Sequence, residues 1–174
     1  MTDGIVDVEA VRTAMRRGQL DLAWAELSRG PVETGEAHTL ATRFPRTLAQ
    51  RLANADGTEI GPLLRLAVAH RRARGPDRTL DAAREAAAIR LLREGEVPAD
   101  AALEALRPLT RSAAPSPALL LALIEAFDAV RLDHEGREDI VSLARQLRET
   151  GYSGVETPVL EKLAALTERA IAGD

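Results

Sequence analysis

Glu125 and Asp128 are carboxylates three residues apart, so they share a face of any helix through Ser116 to Val130, a stretch otherwise apolar from Ala118 to Phe127. A carboxylate in apolar surroundings either finds a partner or shifts its pKa, and in that state it can serve as an acid, a base or an anchor for a cationic ligand. If Glu125 faces the interior, this stretch carries a site. If it faces water, with Arg131 close enough to pair, the stretch is packing. Two carboxylates without a histidine, a metal set or a glycine-rich loop specify no reaction.

The densest basic cluster runs from His70 through Arg71, Arg72 and Arg74 to Arg78. Cations at the end of a helix are favoured by the helix dipole, and that accounts for most of the cluster. The alternative is an acidic partner surface or a phosphate-bearing ligand, which charge reversal of Arg71, Arg72 and Arg74 would abolish.

The only histidines are His38, His70 and His134, and no two stand four apart as a helical zinc pair requires. Asp133, His134, Glu135, Glu138 and Asp139 lack the alternating spacing of a calcium loop and read as a solvated turn. There is no phosphate loop, dinucleotide fingerprint or nucleophile elbow. Leu40 to Phe44 followed by Thr47 to Leu52 is too short for a helix-turn-helix, with Pro45 where its turn glycine would stand. No catalytic residue, metal ligand or cofactor is nominated.

The elements that must position these residues are helices. Aromatic residues make up 2% of the 174 positions while Ala, Leu and Arg dominate, a composition that favours helix over strand. Cysteine is absent, which excludes disulfides and thiolate chemistry. A net charge of −4 argues against a general nucleic-acid binder, and the scarcity of aromatics removes base-stacking platforms. The apolar run from Ala118 is half the length of a membrane span, which needs about 20 residues. With no basic n-region or apolar h-region at the N-terminus, a cytoplasmic protein is expected.

Helical spacing predicts about nine helices in one all-helical domain. Asp7 caps a first helix that stops at Gly18, and a second runs from Leu20 to Leu27. A third spans Glu36 to about Ala55, kinked or split at Pro45. A fourth begins at Ile60 or Pro62 and ends at Arg72, and a fifth covers Thr79 to Glu94. The sixth runs from Pro98 to Arg107, stopped by Pro108. Pro108 to Pro117 is a candidate joint, and Ser116 and Pro117 then open the apolar seventh helix. His134 to Gly136 is a turn, an eighth helix carries Ile140, Leu143 and Leu147, Gly151 to Gly154 is a further turn, and Thr157 opens the last helix.

The predicted turn glycines Gly18, Gly57, Gly95 and Gly136 stand 39, 38 and 41 residues apart, a period that suits stacked helical hairpins as well as an irregular bundle. In the first hairpin Gly18, Ala23 and Leu27 match the turn glycine, the small residue and the large apolar residue of a tetratricopeptide unit, and the hairpin resembles that family. It lacks the family's aromatic in the first helix, and the later spacing exceeds the usual period of about 34. The resemblance implies a scaffold with a concave face for a partner protein or peptide, and no chemistry.

The expected function is accordingly a non-catalytic helical interaction or scaffold module. The competing expectation is an effector-binding bundle of a regulatory protein, with a pocket beside the seventh helix into which Glu125 or Asp128 faces. Self-association through the terminal helices, with Leu160, Leu163 and Ile171, remains open.

Overall fold

The computed structural model describes residues 5–95, 97–110, 115–151 and 154–173. Among these residues the chain is all helical, with nine helices: α1 (Val8–Arg16), α2 (Leu20–Leu27), α3 (Gly35–Asn54), α4 (Gly57–Arg74), α5 (Arg78–Arg93), α6 (Ala99–Thr110), α7 (Pro117–Asp128), α8 (His134–Glu149) and α9 (Thr157–Ala172). None is long and apolar enough to cross a membrane. The chain divides into two compact units, one made of residues 1–55 and 62–84, the other of residues 56–61 and 85–174.

In the first unit α1 packs on α2 and α3, and α2 on α3. Asp7 caps α1 by accepting from the Glu9 and Ala10 amides at 3.0 Å, as its position predicts. The turn into α2 is a Schellman motif: Gly18 takes φ 73° while its amide reaches the Met15 carbonyl and that of Gln19 the Ala14 carbonyl. Only glycine enters that backbone region without steric cost. Val11, Ala23, Leu27, Phe44, Leu48 and Leu52 are fully buried and form the core.

Pro45 neither splits nor ends α3, which is continuous from Gly35 to Asn54. Pro45 has no amide to give to the Ala41 carbonyl one turn back, but its ring is buried with Phe44 and Leu48, and that packing compensates for the missing bond.

The second unit holds the helix of widest apolar surface. Ser116 caps α7, its hydroxyl accepting from the Leu119 amide at 3.3 Å, and Pro117 opens it. Leu119, Leu120, Ala122, Leu123, Ile124, Ala126 and Phe127 are buried, with α6 and α9 packed on the helix. The hairpin of α8 and α9 brings Ile140, Leu143, Leu163 and Leu166 into the same core. Gly61 stands where a Cβ would come within 3.3 Å of the Ala105 Cβ, so its bare backbone lets the start of α4 lie close to α6.

Several predicted boundaries move. Asp56 is the true cap of α4, its carboxylate accepting from the Thr58 and Glu59 amides at 3.0 and 3.1 Å, so Gly57 opens a helix rather than a turn and Pro62 lies inside it. Asp133 does the same for α8 by accepting from the Gly136 amide at 2.7 Å, which places Gly136 in the first helical turn. Two of the four evenly spaced glycines are therefore helical, whereas Gly18 and Gly95 adopt positive φ. Pro108 does not stop α6, which continues to Thr110. Of the candidate joint, residues 111–114 lie outside the described residues, as do Tyr152 and Ser153 in the turn before α9.

Candidate functional site

The sequence candidates separate. Glu125 is exposed on α7 and lines a shallow groove with Ile124, Asp128, Lys162, Leu166 and Arg169. Asp128 is also exposed, and its partner is not Arg131 but Arg169 of α9, at 3.0 Å. With Asp128 and Arg169 engaged with each other, the groove faces water.

The basic cluster serves the first unit. Arg71 forms an ion pair with Asp81, and Arg84 approaches the other oxygen of that carboxylate at 3.5 Å. Arg74 donates to the Leu27 carbonyl at 3.2 Å, capping the C-terminus of α2. Arg72 and Arg78 are exposed. Their side chains do not converge on one point, as a phosphate site would require.

His70 leaves the cluster altogether. It is 5% exposed, its ring centroid lying 5.3 Å from that of Trp24 and 5.9 Å from that of Phe44, stacked on the latter. Its Nδ1 is buried without a hydrogen-bond partner. Burial holds its pKa below the ordinary 6.5, opposed by Asp77 and Asp81 and reinforced by Arg74. The neutral ring is thus the folded form. As pH falls below 6.5 the unfolded chain takes up a proton first. This contribution to stability is complete above 6.5 and is lost as pH drops through the lower folded value. Urea titrations of Trp24 fluorescence at neutral and mildly acidic pH test this: His70→Leu flattens the pH dependence, and an unchanged slope in that variant refutes the assignment.

The arrangement that the sequence did not reveal is in the second unit. Asp139, expected in a solvated turn, is 3% exposed and accepts from Arg107 Nε at 2.9 Å, while Glu135 pairs with the same guanidinium. The hydrogen bond to Asp139 raises the Arg107 pKa, and the charges of Asp139, Glu135 and Asp133 act in the same direction, so this cation is locked in its charged state. A signal was present. Asp139 precedes Ile140 and stands four before Leu143, while Arg107 follows Leu106 and stands four after Leu103, so each apolar stripe carries one charge of opposite sign.

Around this pair opens a cleft of about 590 Å³. Leu103, Phe127 and Leu132 are buried beneath it and Val130 is half-buried. Two helix starts border it. Asp100 lies in the first turn of α6 and Glu135 in that of α8, where the dipole favours carboxylates. With Glu104, Asp133 and Asp139 these make five acidic side chains, against Arg107 and Arg131. The cleft offers acceptors over an apolar floor, so it can hold an apolar group flanked by cations or hydrogen-bond donors. Among the described residues no group of three or more acidic or histidine side chains is placed to hold a metal ion.

No family model, curated protein or solved structure matches this chain.

Proposed function

We propose that the protein is a helical interaction module, acting by binding rather than catalysis, and that the cleft of the second unit takes a basic segment of a partner protein. The observation that carries this reading is the charge balance of the cleft: five carboxylates to two arginines, with Arg107 already bound by two of the carboxylates. A lysine- or arginine-bearing segment with one large apolar side chain satisfies both rim and floor. The likeness of the first hairpin to a tetratricopeptide unit supports the same kind of role.

A fluorescein-labelled peptide of alternating lysine and leucine residues, with its glutamate counterpart as control, tests this. The lysine peptide binds, and raising salt from about 50 to about 500 mM weakens it, because exposed charges are screened within a few ångströms at the higher value. Asp100→Lys with Glu104→Lys lowers the affinity about tenfold, roughly 1.4 kcal/mol for two rim charges reversed. Arg72→Glu with Arg78→Glu leaves it unchanged. Equal binding of the acidic peptide, or full affinity in the lysine variant, overturns the proposal.

A further inference from the structure

The outer face of α8 carries a charge order that is complementary to itself when the helix is reversed. His134, Glu138, Val141, Ser142, Arg145 and Glu149 recur at spacings of four, three, one, three and four, which aligns them on one stripe of the helix. His134, Glu138, Arg145 and Glu149 are exposed, and Val141 and Ser142 are half-buried. The opposite face, with Ile140, Leu143 and Leu147, is buried in the second unit.

Set two such helices antiparallel about a twofold axis between Val141 and Ser142. Glu138 of one copy then meets Arg145 of the other, Arg145 meets Glu138, and His134 lies opposite Glu149, twice over. Within one helix Glu138 and Arg145 cannot pair, since seven residues separate them by about 10.5 Å. A parallel arrangement would set each charge against itself. At the centre only Val141 and Ser142 meet, small enough for close approach. The groove along this face is completed by Ile171 of α9, whose side chain is 73% exposed, and by Ala170. Arg137 lines the same groove but is turned back onto the Leu132 carbonyl at 3.3 Å, so it brings no like charge to the seam.

We propose that this face is the seam of a homodimer, in which two copies pair through antiparallel α8 helices with Ile171 of each closing the flank. A symmetric contact of this kind is isologous and closes on itself, so it stops at two. Resting on one helix face, it falls at the small end of specific interfaces, below about 1,200 Å², and dissociates on dilution. The seam uses the side of α8 away from Asp139, so it stands or falls independently of what the cleft binds.

Sedimentation velocity of the full chain between about 5 and 500 µM tests it, a window that brackets dissociation constants expected of small interfaces. The wild type passes from monomer to dimer across that range. Glu138→Arg and Arg145→Glu each turn two attractions into two repulsions and raise the dissociation constant at least about tenfold. The double variant restores dimerisation, because the swapped charges again face their opposites. Ile171→Asp weakens the dimer in both backgrounds. Circular dichroism melts establish that each variant is folded, as expected for exposed sites. A wild type that stays monomeric throughout, single variants that dimerise normally, or a double variant that does not recover would each overturn the proposal.

Discussion

Truncating Phe44 to alanine lowers the stability of the first unit by about 3–5 kcal/mol, the usual cost of removing a buried aromatic ring. Phe44 is fully buried on α3, with the Trp24 ring centroid 5.5 Å away and His70 stacked on it. These two neighbours come from α2 and α4, so no single side chain can move in to fill the void. The ring also shields the His70 imidazole, whose Nδ1 has no hydrogen-bond partner. Admitting water there would ease the cost of protonating His70, so the variant should lose part of its pH dependence as well as its stability. Urea unfolding followed through Trp24, the only tryptophan, reports both effects directly. Phe44→Leu, which keeps most of the volume, costs about 1 kcal/mol. A loss under about 1 kcal/mol for Phe44→Ala would mean that the aromatic cluster is not the packing centre of this unit.

The second large effect is expected at Arg107. Arg107→Met keeps the apolar stem and removes the guanidinium, taking a charged donor from Asp139, whose side chain is 4% exposed. Hydrogen bonds to charged groups are worth about 1.5–3 kcal/mol, and breaking a buried pair costs more than replacing it whole. A loss of about 2–3 kcal/mol follows for a pair whose arginine is one-quarter exposed. Changing Asp139 to Leu in the same chain recovers most of that loss, since two apolar side chains leave no buried charge behind. A double-mutant cycle by thermal or urea unfolding reads the coupling. If the double variant is no more stable than Arg107→Met alone, Asp139 is held chiefly by other contacts and Arg107 is a rim residue of the cleft. Arg107→Met alone leaves more net negative charge in the cleft, so it should bind the lysine peptide more tightly while folding less stably. That opposition separates a structural arginine from a ligand-binding one.

Local chemistry made much of the architecture legible from the residues alone. Asp7, Ser116 and Pro117 mark helix starts because a side-chain acceptor, or a proline where no amide is needed, satisfies the first turn without help from elsewhere. Gly18 marks a turn because its backbone requires a left-handed residue. The apolar run from Ala118 to Phe127 announces a helix covered on nearly every side, and its one charged residue, Glu125, is exposed, as is Asp128 just beyond it. Net charge, the absence of cysteine and the all-α class follow from composition in the same way.

What tertiary structure decided are the matters that depend on residues distant in sequence. Pro45 reads locally as a kink or split, Pro62 as a possible helix start and Pro108 as a stop, yet each lies within a helix. One missing hydrogen bond is outweighed where a helix face is buried, and nothing adjacent in the chain reveals that burial. Arg131 is the near cation for Asp128, but the fold brings Arg169 from 41 residues away. Asp139 sits among solvated acidic residues in sequence, and its burial is decided by Arg107, which lies 32 residues earlier. The rim of the cleft is acidic because α6 and α8 both begin with carboxylates there. Each helix placed those residues for its own N-terminus, and only packing gathered them over one apolar floor.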